Sequence, residues 1–499
     1  LETSPRELLR RWSLAIGCFA LLLFFFSPPL GVYAVWSRAP ELTGMLEVRR
    51  GASVLWQIEH LGQPIPDPLH GAIQWRLLFP LIGHVLGLPT PVFFALAPLG
   101  CLAVLAFVIS LLRRLGADWT DCALASVVLG VGGWFFASVG WLGYFDSWVV
   151  LALLLVAFAR SRWSVWLACL WAPWIDERFV IGLPLALVCG YIFRSRSSAP
   201  PAEYRKKDWK RDLGVPVGLA AAFMAVRLGI LAHATGGNAA PSTYLQGLHL
   251  AGTPPGRIAL GVWEGLRAGW AFVVAAVALS WTTRLRAIAL AGAAVAVAII
   301  SLCTAQDFGR ALMFLAPLAV LGVALALEAR PRWLASVLRI GAAATLLLPA
   351  HQVINDRATP LFYLYHEIAA LRNPPAVAMP ELYELRAVHA MEAGDFAQAE
   401  ADLTLAIKLS DRPSGPHKQR GVLYASAGRW AEARRDFAAM VDCDAENPES
   451  WFFRAQANLA LGDAAAARSD MEAALARGPE SWKERADVKR FATRLGLGR

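Results

Sequence analysis

Trp174-Ile-Asp-Glu-Arg-Phe179 lies between two apolar runs, Trp163–Pro173 and Val180–Phe193, in a region with almost no other charge. Asp, Glu and Arg at membrane depth are expensive, and a chain keeps them there for pairing or for work on an ion or substrate. A second isolated acid, Asp146, sits in a similar setting between Trp141–Phe145 and Ser147–Phe158. The flanking runs decide the fold. They belong to a chain of 499 residues that is 57% hydrophobic and 17% charged, with a mean hydropathy of +0.46. That is too apolar for one soluble domain and fits an all-α, polytopic membrane bundle. The apolar excess stops near residue 350, and the last part of the chain reads as soluble.

Outward from the hexapeptide, eleven apolar segments follow one another: 13–36, 91–112, 122–143, 147–159, 163–175, 179–193, 215–233, 258–280, 287–305, 311–328 and 333–350. Basic residues collect at alternate ends of these segments, namely Arg6, Arg10 and Arg11, then Arg113 and Arg114, then Arg160 and Arg162. Arg194, Arg196 and the stretch Arg205–Arg211 follow, then Arg284 and Arg286, then Arg330 and Arg332. Short basic loops mark the cytoplasmic side, so the N-terminus is expected in the cytoplasm and the first segment is a retained signal anchor. The same rule accounts for most of the net charge of +9, which is therefore no sign of nucleic-acid binding. Seven cysteines show neither a disulfide framework nor a zinc spacing.

Three segments (147–159, 163–175 and 179–193) fall short of the roughly 20 residues that a span needs. They predict an outer surface cut inward around a polar cavity, or else a re-entrant hairpin. Residues 37–75 form a long first outer loop carrying Glu41, Glu47, Glu59, His60, Asp67 and His70. Within it Glu47–His60 has Val48, Val54, Leu55 and Ile58 on one side, the pattern of a helix lying in the interface. Arg76–Leu88 is too short to cross and ends at Pro89-Thr-Pro91.

The soluble tail repeats. Gly394-Asp-Phe396, Gly428-Arg-Trp430 and Gly462-Asp-Ala464 recur every 34 residues, together with Ala399, Ala433 and Ala467 and with Ala387, Gly421 and Ala455. A turn Gly and small residues where helices touch, at this period, resemble tetratricopeptide (TPR) repeats. Phe437, Trp451 and Pro479 stand where that family has aromatics and a closing proline. Residues 1–350 are thus expected to form the membrane domain, 351–379 a linker, and 380–499 three repeats with a capping helix. An odd number of spans puts the array in the periplasm of a bacterial inner-membrane protein, where it would bind a protein or peptide.

On this topology the outer face gathers the 37–75 loop, Asp146, Asp176, Glu177, Arg178, Asp307 and Arg310, with Arg227, His233, Glu264 and Arg267 toward it. The arrangement resembles the GT-C glycosyltransferases. Gln74-Trp-Arg-Leu-Leu-Phe-Pro80 is similar to the Tyr-Arg-x-Leu-x-Pro segment of bacterial members. Asp176-Glu-Arg178 and Asp307-x-x-Arg310 are similar to their later motifs. Where the family has an Asp soon after the first helix, Glu41 or Glu47 stands here. Some eukaryotic transmembrane O-mannosyltransferases also join such a domain to TPR repeats.

The resemblance implies transfer of a sugar from a polyprenyl-phosphate donor, drawn from the membrane lipids, to an acceptor. Glu47 would act as base or metal ligand, with Asp146, Asp176 and Glu177 lining the site. Arg76, Arg178, Asp307 and Arg310 would bind the substrate, and a divalent ion (Mg2+ or Mn2+) is the implied cofactor. Plainer readings stand beside these. Asp176 and Arg178 are also neighbours at a helix end, Asp146 is a candidate N-cap, and Arg76 is a candidate interfacial anchor. Two other function classes fit the chain: a membrane-anchored repeat scaffold, and a transporter or ligase of lipid-linked glycans.

Overall fold

The computed structural model describes residues 4–37, 46–63, 65, 73–196, 209–234, 253–281, 284–304, 307–352, 357–372, 380–410 and 413–497. Glu41, Asp67, His70, His249, the basic stretch 205–208 and the side chain of His233 lie outside the described residues. The chain divides into two compact units. Leu1–Ala34 and Leu46–Arg372 make the first, Val35–Met45 and Asn373–Arg499 the second.

The first unit is helical: α1 (Pro5–Phe25), α2 (Leu30–Trp36), α3 (Leu46–Glu59), α4 (Leu78–Leu86), α5 (Thr90–Arg114), α6 (Trp119–Gly130), α7 (Gly133–Gly140), α8 (Asp146–Phe158), α9 (Arg162–Trp171) and α10 (Phe179–Arg196). There follow α11 (Trp209–Ala234), α12 (Pro255–Leu266), α13 (Trp270–Leu279), α14 (Arg284–Cys303), α15 (Phe308–Ala311), α16 (Ala316–Ala329) and α17 (Leu334–Leu347). A short antiparallel hairpin, β1 (Ala350–Gln352) with β2 (Arg357–Thr359), leads to α18 (Tyr363–Arg372). Residues expected to open the linker therefore carry regular structure within this unit.

Seven of the described helices are long and apolar enough to cross a membrane, or eight if the pair α6 and α7, bent by 76°, is one span. The three remaining apolar segments hold α8, α9 and α17, of 13, 10 and 14 residues. At 1.5 Å per residue these reach about 15–21 Å, short of a ~30 Å hydrocarbon core. α8 and α16 are apolar all round and buried, as a helix in the middle of a bundle must be. α1, α11 and α14 instead expose Leu9, Ile16, Val217, Leu228, Leu285 and Ile288. Apolar inside and apolar outside is the signature of a bundle solvated by lipid.

The ends of these helices are chemically sorted. At one end, Arg11 and Arg113 share Glu7, Arg162 pairs with Asp212 at 2.8 Å, and Arg194 and Arg196 donate to the carbonyls of Ala157 and Leu279. The opposite ends, which include the starts of α8, α10 and α16, bring together the isolated acids. Two glycines permit that approach. A Cβ on Gly133 would stand 2.3 Å from the Gly309 carbonyl, and one on Gly261 would stand 2.5 Å from Phe308 Cβ.

The second unit is a run of helical hairpins: α19 (Pro380–Glu392) with α20 (Phe396–Leu409), α21 (Ser414–Ser426) with α22 (Trp430–Cys443), and α23 (Pro448–Ala460) with α24 (Ala464–Arg477). Two short helices, α25 (Glu480–Lys483) and α26 (Ala486–Arg494), close it. Each hairpin turns on a left-handed glycine, Gly394, Gly428 or Gly462 (φ +78°, +74° and +83°). Each is also clasped by an Arg–Asp pair 16 residues apart: Arg386–Asp402, Arg420–Asp436 and Arg454–Asp470.

Cores are fitted repeat by repeat. Ala387 packs with Leu403 and Ala455 with Met471, whereas the middle hairpin pairs Gly421 with the larger Phe437. A Cβ at 421 would meet the Phe437 ring at 2.3 Å. Gly421→Ala is therefore expected to destabilise this unit by about 1–3 kcal/mol through overpacking. Adding Phe437→Leu should recover part of that loss, read as the paired shifts in thermal unfolding.

Candidate active site

Five stretches carry the acids and arginines of the site: the turn before α4, the start of α8, the break before α10, α11 and α15. Arg76 ends a tight turn, its N–H bonded to the Ile73 carbonyl at 2.9 Å. Gln57 of α3 holds that turn, its Nε2 donating to the Ile73 and Gln74 carbonyls at 3.2 and 2.8 Å. Phe79 stacks on Phe145 with centroids 3.9 Å apart, so the start of α4 is fastened to the start of α8. Asp176 and Glu177 occupy the break between the 3-10 turn Ala172–Trp174 and α10. There Asp176 accepts the Arg178 backbone N–H at 3.0 Å.

The side chains form one buried network. Arg76 spans two acids, donating to Glu177 through Nε and Nη2 at 3.0 and 2.9 Å and reaching Asp176 at 2.9 Å. Arg178 closes on Asp176 as a fork, with Nη2–Oδ2 at 2.6 Å. Arg227 of α11 stands 3.5 Å from Glu177. Arg310 forks Asp146 along one edge, through Nε and Nη2, with Nη2–Oδ1 at 3.0 Å, and stands 4.0 Å from Asp176. Asp146 and Asp176 are 2% and 1% exposed. Buried charges of this kind survive only when paired and hydrogen-bonded, and the forks supply that.

Asp146 begins α8 yet does not cap it: Phe145 is the N-cap residue and the Asp146 carboxylate goes to Arg310. Asp307 does cap, accepting the Arg310 backbone N–H at 3.1 Å. Glu264 pairs with the fully buried Arg267, which also donates to the Thr345, Leu348 and Pro349 carbonyls. This pair ties the α12–α13 break to the end of α17.

A cleft of about 850 Å³ opens beside the network, lined among others by Phe26, Glu47, Trp141, Glu264, Asp307, His351 and Tyr363. Two of its acids repeat one pattern. Glu47 faces the cleft while Arg50, three residues on, enters the network. Asp307 faces the cleft while Arg310 enters the network. Both guanidinium groups lie over the Tyr144 ring, at 4.0 and 4.5 Å from its centroid.

Arg50 differs from the other arginines. It is 7% exposed, it makes no ion pair among the described residues, and its Nε has no hydrogen-bond partner. Burial pulls its guanidinium down to about 10, still cationic at neutral pH. A buried cation left without an anion is costly.

All eight expected site residues therefore converge, but they divide. Glu47 and Asp307 line the cleft, while Asp146, Asp176 and Glu177 are held by Arg310, Arg178 and Arg76. Arg50, Tyr144 and His351 were not expected here. The Glu-x-x-Arg spacing at 47–50, matching Asp-x-x-Arg at 307–310, was the available signal for Arg50. Among the described residues no three His, Cys, Asp or Glu side chains stand close enough to hold a metal ion. The described residues thus offer the expected Mg2+ or Mn2+ no three-ligand cage. No family model, no curated protein and no solved structure matches this chain.

Proposed function

We propose that the first unit is a membrane glycosyltransferase of the GT-C type, moving a sugar from a polyprenyl-phosphate donor to an acceptor in the cleft. The observation that carries this reading is the paired arrangement at Glu47/Arg50 and Asp307/Arg310. It sets two carboxylates on the cleft wall and, three residues on from each, a guanidinium stacked on Tyr144, with Arg50 making no ion pair among the described residues. A donor phosphate satisfies Arg50 and the edge of Arg310 that Asp146 leaves open, since arginine forks match phosphate oxygens. Glu47 then takes the proton of the acceptor hydroxyl or amide as its heteroatom attacks the anomeric carbon. The bond from that carbon to the phosphate oxygen breaks, that oxygen keeps the electron pair, and the lipid phosphate leaves as an anion paired with Arg50. Asp146, Asp176 and Glu177 act as positioning residues that hold Arg310, Arg178 and Arg76 in place.

The exposed apolar residues Phe24, Phe362, Tyr365 and Ile368 support a lipid-linked substrate. Phe24 packs on Phe362 at 5.5 Å, next to the cleft-lining Pro360 and Tyr363, which suits a polyprenyl tail leaving toward the bilayer. We read the second unit as a TPR array serving as a recognition surface. We place the site's face in the periplasm of a bacterial inner membrane, a reading that the basic residues at the opposite helix ends support.

The test is release of sugar by the purified protein from a panel of radiolabelled polyprenyl-phosphate sugars. Arg50→Gln should raise the donor KM roughly tenfold to hundredfold, the worth of charge-assisted hydrogen bonds, with little change in thermal unfolding. Intact donors across the whole panel would leave the chain as a membrane-anchored scaffold.

A further inference from the structure

The 34-residue repeat lets one groove of the second unit be compared with the next. Over α21, between α20 and α22, the groove is filled by the chain's own carboxylates. Glu400 accepts from Arg429 at 2.8 Å and from the Tyr424 hydroxyl at 2.9 Å, and Glu432 accepts from Arg429 at 2.8 Å. The Arg429 hydrogen bonds hold both acids below the usual carboxylate range. One repeat later the same positions read differently. Glu400 becomes Arg434, Glu432 becomes Ala466, Tyr424 becomes Asn458, Ala401 becomes Arg435 and Arg429 becomes Asp463, which caps α24 by accepting the Ala466 N–H, while Arg420 is kept as Arg454.

The second groove is consequently open. It has a volume of about 690 Å³ and is lined by Arg434, Arg435, Arg454, Asn458, Ser469 and Asp470, with Ala438 and Ala466. Its one carboxylate, Asp470, is already taken by Arg454 at 2.9 Å and by Asn458 at 2.9 Å. The Arg434 and Arg435 side chains are exposed and make no ion pair among the described residues.

We propose that this groove binds an acidic segment of a protein partner, whose Asp or Glu side chains pair with Arg434 and Arg435. The proposal rests on reading the array as a recognition surface and is independent of the transferase chemistry. Each exposed pair changes affinity only about 1.4- to 5-fold, so the segment must present several acids, and binding must weaken with added salt.

The experiment is fluorescence anisotropy on the full chain in phosphatidylcholine nanodiscs, with a fluorescein-labelled peptide of alternating Glu and Ser as probe. Arg434→Glu with Ala466→Glu installs the first groove's acids in the second. It should weaken binding by about tenfold or more. Arg434→Gln, which reverses no charge, should weaken it by about two- to fivefold. Glu400→Arg with Glu432→Ala should open the first groove and raise the bound stoichiometry.

Binding by the double variant within about twofold of the unmodified chain would overturn the groove while leaving recognition elsewhere on the array intact. Equal binding of a Gln/Ser peptide would overturn the acidic ligand. No binding of the Glu/Ser probe to the unmodified chain would overturn both groove and ligand. So would loss, in the double variant, of binding to phosphatidylglycerol vesicles alone, which would make the groove a lipid contact.

Discussion

Glu47→Gln should lower sugar transfer by about 10²- to 10⁴-fold, the usual contribution of a positioned general base, while the protein still folds and binds donor. Gln keeps the side chain's volume and its hydrogen-bonding reach but cannot take a proton. Glu47 lines the cleft, and its backbone carbonyl, which the substitution leaves in place, accepts the Leu142 N–H at 2.8 Å. Single-turnover transfer from a labelled polyprenyl-phosphate sugar is the measurement, with donor affinity read separately. Asp307→Asn is the informative companion. Asp307 caps the turn that aims Arg310, so its loss should raise the donor KM as well as lower the rate. A Glu47→Gln protein that retains most of its turnover would move the base to Asp307.

Arg310→Met should destabilise the first unit by about 3–5 kcal/mol, because it strands the Asp146 carboxylate, only 2% exposed, without its forked partner. The same principle sets the control. Removing both charges together, as in Asp146→Leu with Arg310→Met, should cost less than Arg310→Met alone, since no buried ion is left unpaired. Unfolding titrations of the single and double variants measure the difference. A single-variant cost below about 1 kcal/mol, the range of exposed pairs, would mean that water reaches Asp146 and that the network is wet. On the proposed mechanism activity should vanish in both variants, because Arg310 would also bind the donor phosphate. The contrast therefore separates the stabilising role of the pair from its role in binding.

Much of this architecture could be read before folding was considered, for local reasons. The apolar excess and the alternating basic clusters follow from the cost of placing polar groups in hydrocarbon, so they show in any linear scan. The 34-residue period shows because each hairpin needs the same turn glycine and the same small contact residues, at Gly394, Gly428 and Gly462 and at Ala387, Gly421 and Ala455. Asp146, Asp176, Glu177 and Arg310 stood out because each is an isolated charge beside an apolar run. Length alone also flagged α8 and α9 as too short to span.

Tertiary structure decided the rest. Which acid meets which arginine depends on contacts 101 and 164 residues apart, Arg76 with Glu177 and Asp146 with Arg310, and no local pattern encodes partner choice at that separation. The sequence named a set of acids; only folding separated Glu47 and Asp307, which face the cleft, from three carboxylates neutralised by forks. Arg50 looked like one more interfacial charge beside Arg49, and only its burial over Tyr144 without an anion marks it out. Residues 351–379 read as linker because a polar stretch carries no span signal, yet their described part brings His351 and Tyr363 to the cleft wall. Composition and periodicity determine what kind of element each stretch becomes. The pairing of buried charges, which sets what the site can do, exists only once the helices have met.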